Sequence, residues 1–343
     1  MPWYRHLLWP FAILYGLGVG FRDLLFDVGV LSSKKFEVPV ICIGNLETGG
    51  TGKSPLVNYI VRVLLDKGKK VAVISRGYGR KTAGFQMVEG NSLAENVGDE
   101  PLQLKLRLPN AVVAVCEKRA VGIQRLLELD PNLDFVIMDD GFQHRWVKPS
   151  LSILVTSANL PCKQNYLLPV GNLREPRSAS NRADLIVRTG VIEGSQDRFK
   201  ALQDGFCTKT SAGDLVLFYG KEKTGIMDSA LPKSVLVFSG IANSDRFDTI
   251  LRDKMNVLEH VEFADHHNYT ISDVKMLRKK MDSFGAAVHA VITTEKDAAR
   301  FWNTSLLNEF GKTPVYYLPI DLEFLNNQAD EFEKLILDHG KHA

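Results

Sequence analysis

VPVICIGNLETGGTGKSP, residues 38–55, opens on a run of apolar, mostly β-branched side chains and closes on glycines, a lysine and a serine. The apolar run suits a strand buried on both faces. Directly after it, Leu56, Ile60, Val63 and Leu64 recur at i, i+4, i+7 and i+8, one face of a helix, and Gly68 stands where a C-terminal glycine belongs. KVAVISRG, residues 70–77, then reads as a second strand. A strand, a glycine-rich loop, a helix and a second strand make a βαβ unit with a phosphate-binding loop at its first turn. Gly49, Gly50 and Gly52, with Thr51 between them, let backbone N–H groups close around phosphate oxygens. Lys53 supplies a point charge, Ser54 a hydroxyl for magnesium, and Pro55 suits the first helical turn. The usual G-x-x-x-x-G-K-[ST] spacing would put glycine at Glu47, so the match is partial. The competing reading is a glycine-rich turn after a buried strand.

Further along, Ala111–Cys116, Phe135–Met138, Leu151–Val155, Leu185–Val187, Val235–Phe238, Ala290–Thr293 and Val315–Leu318 are short apolar runs separated by helical patterns, which suits a parallel sheet covered on both faces. The run ending at Met138 is followed by Asp139 and Asp140, the arrangement in which a strand-end carboxylate holds magnesium beside a phosphate loop. Two adjacent buried carboxylates without a cation would be costly, so a metal or an opening to water is expected there. The fold expected is α/β: a parallel sheet like that of P-loop nucleoside triphosphate hydrolases, a smaller α/β C-terminal unit and an N-terminal membrane-associating helix. The polar stretch Lys221–Lys233 is the expected junction, dividing the chain into residues 1–34, 35–228 and 229–343.

The chain has 343 residues, 45% of them hydrophobic, and 42 Lys+Arg against 40 Asp+Glu leave a net charge of only +2, which excludes wholesale disorder and gives no support to a nucleic-acid partner. Cys42, Cys116, Cys162 and Cys207 are far apart and read as small buried residues, not as a zinc or disulfide framework. Leu7 to Phe21 is uncharged but shorter than the roughly 18 residues a spanning helix needs. With Trp3, Tyr4, Trp9 and Tyr15 beside it, the stretch reads first as a helix lying on a membrane surface, then as a packing helix, and last as a signal or spanning segment, despite Arg5 ahead of its apolar core.

GNLETGGTGKSP, SRGYGR (75–80), GDEP (98–101), DDGFQH (139–144), LREPRS (173–178), DHHNYT (265–270) and TTEKDAAR (293–300) follow one another in an order that resembles the tetraacyldisaccharide 4′-kinases of lipid A biosynthesis. The resemblance covers most of the chain. It implies transfer of the γ-phosphate of ATP, with Mg2+, to the 4′-hydroxyl of an acylated glucosamine disaccharide 1-phosphate held in the membrane, giving lipid IVA. A location on the cytoplasmic face of the inner membrane of a Gram-negative-type bacterium is implied with it, and neither nucleic acid nor an obligate protein partner. It also implies Asp99 as base with His266 as its partner, Lys53 in catalysis, and Ser54, Asp139, Asp140 and Glu175 around the metal. Arg76, Tyr78, Arg80, Gln143, His144, Arg174 and Arg177 are the implied substrate contacts. Taken alone, GDEP reads as a capped helix start, His267 competes with His266, and Arg177 reads equally as a surface ion pair. Gly171-Asn172 stands where the family suggests Gly-Pro. Lys296 and Asp297 are adjacent, so the guanine-reading N-K-x-D pattern is absent. Two other readings compete: a P-loop ATPase switch of the partition or maturation type, weakened by Thr48 where that loop carries lysine, and a phosphoesterase metal centre at Asp265-His266-His267.

Overall fold

The computed structural model describes residues 7–158, 166–191, 205–219, 222–226 and 231–339. Trp3, Tyr4, Arg5, Cys162 and the expected boundary at 228–229 lie outside them. The chain opens on helix α1 (Trp9–Asp27), and the βαβ unit follows as β1 (Val40–Gly44), α2 (Lys53–Asp66) and β2 (Val71–Ser75). Next come β3 (Gln86–Val88), α3 (Ala94–Val97), α4 (Asp99–Arg107), β4 (Val112–Val115), α5 (Arg119–Leu129), β5 (Phe135–Asp139), β6 (Leu151–Ser157), β7 (Leu185–Thr189) and β8 (Phe206–Ala212). The C-terminal part adds β9 (Val216–Tyr219), β10 (Glu222–Ile226), β11 (Ser234–Ser239), α6 (Asp245–Lys254), β12 (Asn256–Glu262), α7 (Ile271–Phe284), β13 (Ala290–Thr294), α8 (Glu295–Phe301), β14 (Val315–Leu318), β15 (Ile320–Phe324) and α9 (Ala329–His339).

Two sheets result, ordered β15-β8-β7-β6-β1-β5-β2-β4-β3 and β10-β9-β14-β13-β11-β12. The centre of the first is parallel: β1 lies between β5 and β6, with Ile43 opposite both Asp139 and Ile153. Its margins depart from the all-parallel expectation, since β3 pairs with β4 and β15 with β8 antiparallel. These marginal strands, with β12, carry alternating or polar residues because they are not buried on both faces, so they escape a search for continuous apolar runs. The sheets exchange strands: residues 216–219 and 222–226 belong to the second, and 320–324 return to the first.

Helix α2 packs Leu56, Ile60 and Leu64 against the first sheet with 1% exposure or less. Each such burial contributes about 1.5–3 kcal/mol, which fixes the helix axis and therefore the loop ahead of it. Cys42, Cys116 and Cys207 are buried free thiols, as expected. Helix α1 is different. Ala12 and Phe26 are buried, while Phe11, Ile13, Leu14, Leu17, Phe21 and Leu24 are each more than half exposed. No helix among the described residues is long and apolar enough to cross a membrane.

Candidate functional site

Loop 45–52 leaves the C-terminal end of β1 and delivers the first turn of α2. Its shape depends on backbone that only glycine adopts cheaply: Gly49 has φ +112° and Gly52 φ +84°, and a Cβ on Gly52 would lie 2.9 Å from Thr189 Cγ2. Thr189 also donates its hydroxyl to Thr51 O (2.6 Å), while Asn45 donates to Thr51 Oγ1 (2.8 Å) and accepts from Lys53 Nζ (3.0 Å). Gln143 donates to Asn45 O (2.8 Å), so it braces the loop from behind. Asn172, at the place where Gly-Pro was expected, accepts the Thr48 N–H through its carbonyl (2.8 Å).

Asp139 ends β5 and shares a cleft with Ser54, Asn58, Ser75, Glu100 and Gln103. Ser75 donates to Asp139 Oδ2 (3.2 Å). Burial, then the negative charges of Glu100 and Asp140, push the Asp139 carboxyl up to about 7. Val57, Val73, Pro101, Leu104 and Val113 complete the lining, so the oxygens of Ser54, Ser75, Glu100 and Asp139 are gathered against an apolar wall, and a divalent cation beside Asp139 would remove the penalty on its ionised form. Asp140 turns the other way with φ +47°. Both its oxygens take Arg174 Nη1 (3.1 and 2.9 Å), and Lys53 Nζ lies 3.4 Å from Oδ1. Burial opposes ionisation of Asp140, but Lys53 and Arg174 outweigh it and hold the carboxyl below its ordinary value.

Asp99 begins α4 after Gly98, whose φ is +92°. Its Oδ1 accepts the Glu100 N–H (3.0 Å), but the N-cap position is Gly98 and no side chain caps the helix, so Asp99 does not act as the cap that GDEP taken alone suggests. Oδ2 faces the second sheet: His266 Nδ1 lies at 3.1 Å, Arg300 donates from Nε (3.1 Å) and Nη2 (2.6 Å), and Lys296 Nζ stands at 3.9 Å. Burial would raise the Asp99 carboxyl, but the His266 bond and the charges of Lys296 and Arg300 drive it far below the carboxylate range. His266 in turn is raised above its ordinary value, first by its bond to Asp99, with burial and Lys296 opposing. His267 is elsewhere: its Nε2 meets Asp273 (3.1 Å) and its ring stacks on Phe263, so His266 is the partner of Asp99. Arg300 is held by Asp297 (2.6 Å) and Gly240 O (2.8 Å), and Lys296 Nζ bridges Glu100 Oε1 (3.1 Å) and His266 Nε2 (3.2 Å).

Several expected contacts are placed differently. Glu175, expected at the metal, is fully buried with both oxygens taken by Arg22 and Arg182, leaving none for a cation. Asp140, expected there too, is occupied by Arg174 and Lys53 as described. Arg80, an expected substrate contact, points inward to Glu117 and Gly84 O. Arg174 and Gln143 hold protein groups. Arg76 and Tyr78 are exposed, with the Tyr78 ring edge-on to His266 at 5.3 Å. His144 is partly buried, its Nε2 meets no partner among the described residues, and burial followed by Arg119, Arg76 and Arg22 pushes it down to about 4. Arg177 is exposed and its charge bears on Glu47. The sequence reading missed Glu100, Lys296, Arg300 and the buried Arg119, which donates to Asp140 O (3.2 Å). Lys296 and Arg300 were visible as a cationic pair at i, i+4 in TTEKDAAR, a spacing that puts both on one helix face. Asp265-His266-His267 gathers no cluster of three or more metal-binding side chains, and no such group occurs among the described residues.

The family model described as tetraacyldisaccharide-1-P 4′-kinase matches residues 4–341. The tetraacyldisaccharide 4′-kinase of Flavobacterium johnsoniae is 37% identical over an alignment covering 98% of this chain and 97% of that protein, and the one from Parabacteroides distasonis is 36% identical over 98% and 95%. A crystal structure of LpxK from Aquifex aeolicus, an "apo" form in complex with ATP, matches with a TM-score of 0.77 and 31% identity, covering 98% of this chain and 99% of the other.

Proposed function

This chain belongs to the tetraacyldisaccharide-1-P 4′-kinase family, and we propose that the two groups of residues above divide the family's reaction between them. The protein is an ATP-dependent kinase that phosphorylates the 4′-hydroxyl of the acylated glucosamine disaccharide 1-phosphate, giving lipid IVA. The backbone of 49–54 and Lys53 grip the β and γ phosphates of ATP. Ser54 and Asp139, with Glu100 lining the same cleft, would hold Mg2+, which supplies charge compensation to the transferring phosphoryl group. Asp99 orients the sugar hydroxyl and takes its proton late. A strongly ionised carboxylate is a weak base, which suits a loose phosphoryl-transfer transition state in which little proton transfer precedes bond breaking. His266 aligns Asp99 and receives part of the charge change, while Tyr78 and Arg76 stand at the mouth for the acceptor.

The observation that carries this reading is Lys296: one ammonium touches both Glu100 of the phosphate cleft and His266 of the acid–base pair, so the two lie side by side. We further infer that α1 lies on the cytoplasmic face of the inner membrane with its apolar side in the lipid, which brings the acceptor within reach. On this reading residues 1–34 are the anchor, and the two sheets correspond to a kinase core and a smaller unit. The deciding experiment measures ADP release by purified protein with Mg·ATP, with and without the acylated disaccharide 1-phosphate in mixed micelles. Release that requires the acceptor is expected; equal release without it would replace the kinase with a switch ATPase.

A further inference from the structure

Helix α1 carries a polar stripe on the side opposite its exposed apolar residues, and that stripe is fastened to the phosphate site. Tyr15 donates its hydroxyl to Arg174 O (2.8 Å). Arg22 pairs with Asp23 (2.8 Å) and reaches Glu175, which takes Arg182 on its other oxygen. Arg145 holds Asp23 through its carbonyl (3.0 Å) and Asp27 through its carboxylate (2.6 Å). Glu175 is fully buried, and the two arginines are the hydrogen-bond partners of its two oxygens. The peptide gripped in this way, Arg174–Glu175, also touches the phosphate loop directly: Arg174 N donates to Leu46 O (2.7 Å), and Leu173 bridges Glu47. Arg174 then aims its guanidinium at Asp140, the acid 3.4 Å from Lys53. A continuous path of close contacts runs from α1 through 174–175 to the lysine that meets the nucleotide.

We propose that Tyr15 and Arg22 are positioning residues for phosphoryl transfer: through Glu175 and Arg174 they set Asp140 and Lys53, so the helix that meets the membrane is also part of the nucleotide grip. The proposal rests on the ATP-binding role of loop 49–54 and adds a source for its order. Arg22→Lys keeps the charge but loses the fork that spans Asp23 and Glu175, and Tyr15→Phe removes one bond without changing shape. Both are made in the full-length protein in detergent micelles, where partition to a bilayer does not limit the reaction. The readouts are Mg·ATP affinity by calorimetry, steady-state kcat with KM for each substrate, and melting temperature. Arg22→Lys is expected to weaken Mg·ATP binding and lower kcat, each by about tenfold, with KM for the lipid acceptor unchanged. Tyr15→Phe should do the same more weakly. In combination with Arg174→Lys, Arg22→Lys should add little, since both act on one contact. Wild-type ATP affinity and turnover in both variants would overturn the proposal. So would a lowered melting temperature with normal ATP binding by the folded protein, which would make Arg22 a support of the fold alone. Should the wild-type protein itself bind no Mg·ATP, the nucleotide reading fails first, a result distinct from either.

Discussion

Asp99→Asn is the sharpest test of the division of labour at the site. The substitution keeps size and removes one negative charge from contact with His266, Arg300 and Lys296. The stability cost is limited by the structure: Arg300 keeps Asp297 and Lys296 keeps Glu100, so neither cation is left alone. A loss of about 1–3 kcal/mol is expected, short of the roughly 3–5 kcal/mol for stranding a buried charge. The catalytic cost is larger. A positioned acid–base group contributes about 10²–10⁴ in rate, or roughly 2.7–5.4 kcal/mol at about 1.36 kcal/mol per decade. None of the contacts described for Asp99 is to loop 45–52, so KM for ATP should stay within about twofold. His266 also loses the partner that raises it. In the wild type, the raised histidine contributes stability that is fully present below its unfolded value near 6.5 and fades as pH rises through the higher folded value. In the variant that component disappears. The assay is acceptor-dependent phosphate transfer in micelles, with nucleotide affinity by calorimetry and the His266 titration by NMR. Turnover within about threefold of wild type would remove Asp99 from the chemistry, and a fall in ATP affinity as large as the fall in kcat would move its action to the nucleotide side.

Asp139 is raised to about 7, so the metal-free protein loses stability as pH climbs from about 4 through 7. Asp139→Asn should therefore raise the metal-free melting temperature at pH 7.5 while impairing magnesium use, so that turnover falls and needs more Mg2+; a variant with normal metal dependence would contradict the assignment. Gly52→Ala places a side chain at positive φ and against Thr189, so nucleotide binding should fall by more than about tenfold in a protein that still folds. Polar replacement of Leu14, Leu17 and Phe21 together should shift the protein from vesicle-bound to free in a flotation assay without changing ATP affinity, because all three side chains are exposed on α1; undiminished flotation would place the lipid contact elsewhere.

The βαβ unit was legible because its signal is local: apolar periodicity, glycine placement and a strand ending in aspartates all fall within short windows. The antiparallel margins were not, since marginal strands half exposed to water carry no continuous apolar run. Which histidine meets Asp99 was likewise undecided by adjacent letters; with the backbone left-handed at His266, the two rings take different partners, His266 meeting Asp99 and His267 meeting Asp273. Asp139 and Asp140 are also neighbours in sequence, and again a positive φ divides them, one to the cleft with Ser54, Ser75 and Glu100 and the other to Lys53 and Arg174. Glu175 shows the limit most clearly, because its role is fixed by Arg22, 153 residues away. Sequence by itself determined that this chain carries a glycine-rich loop of the phosphate-binding pattern on a βαβ frame, because backbone conformation and burial pattern are properties of neighbouring residues. Tertiary structure alone decided which charges meet, because a carboxylate's job as base, metal ligand or strut depends on the cations that chain folding brings within about 4 Å of it.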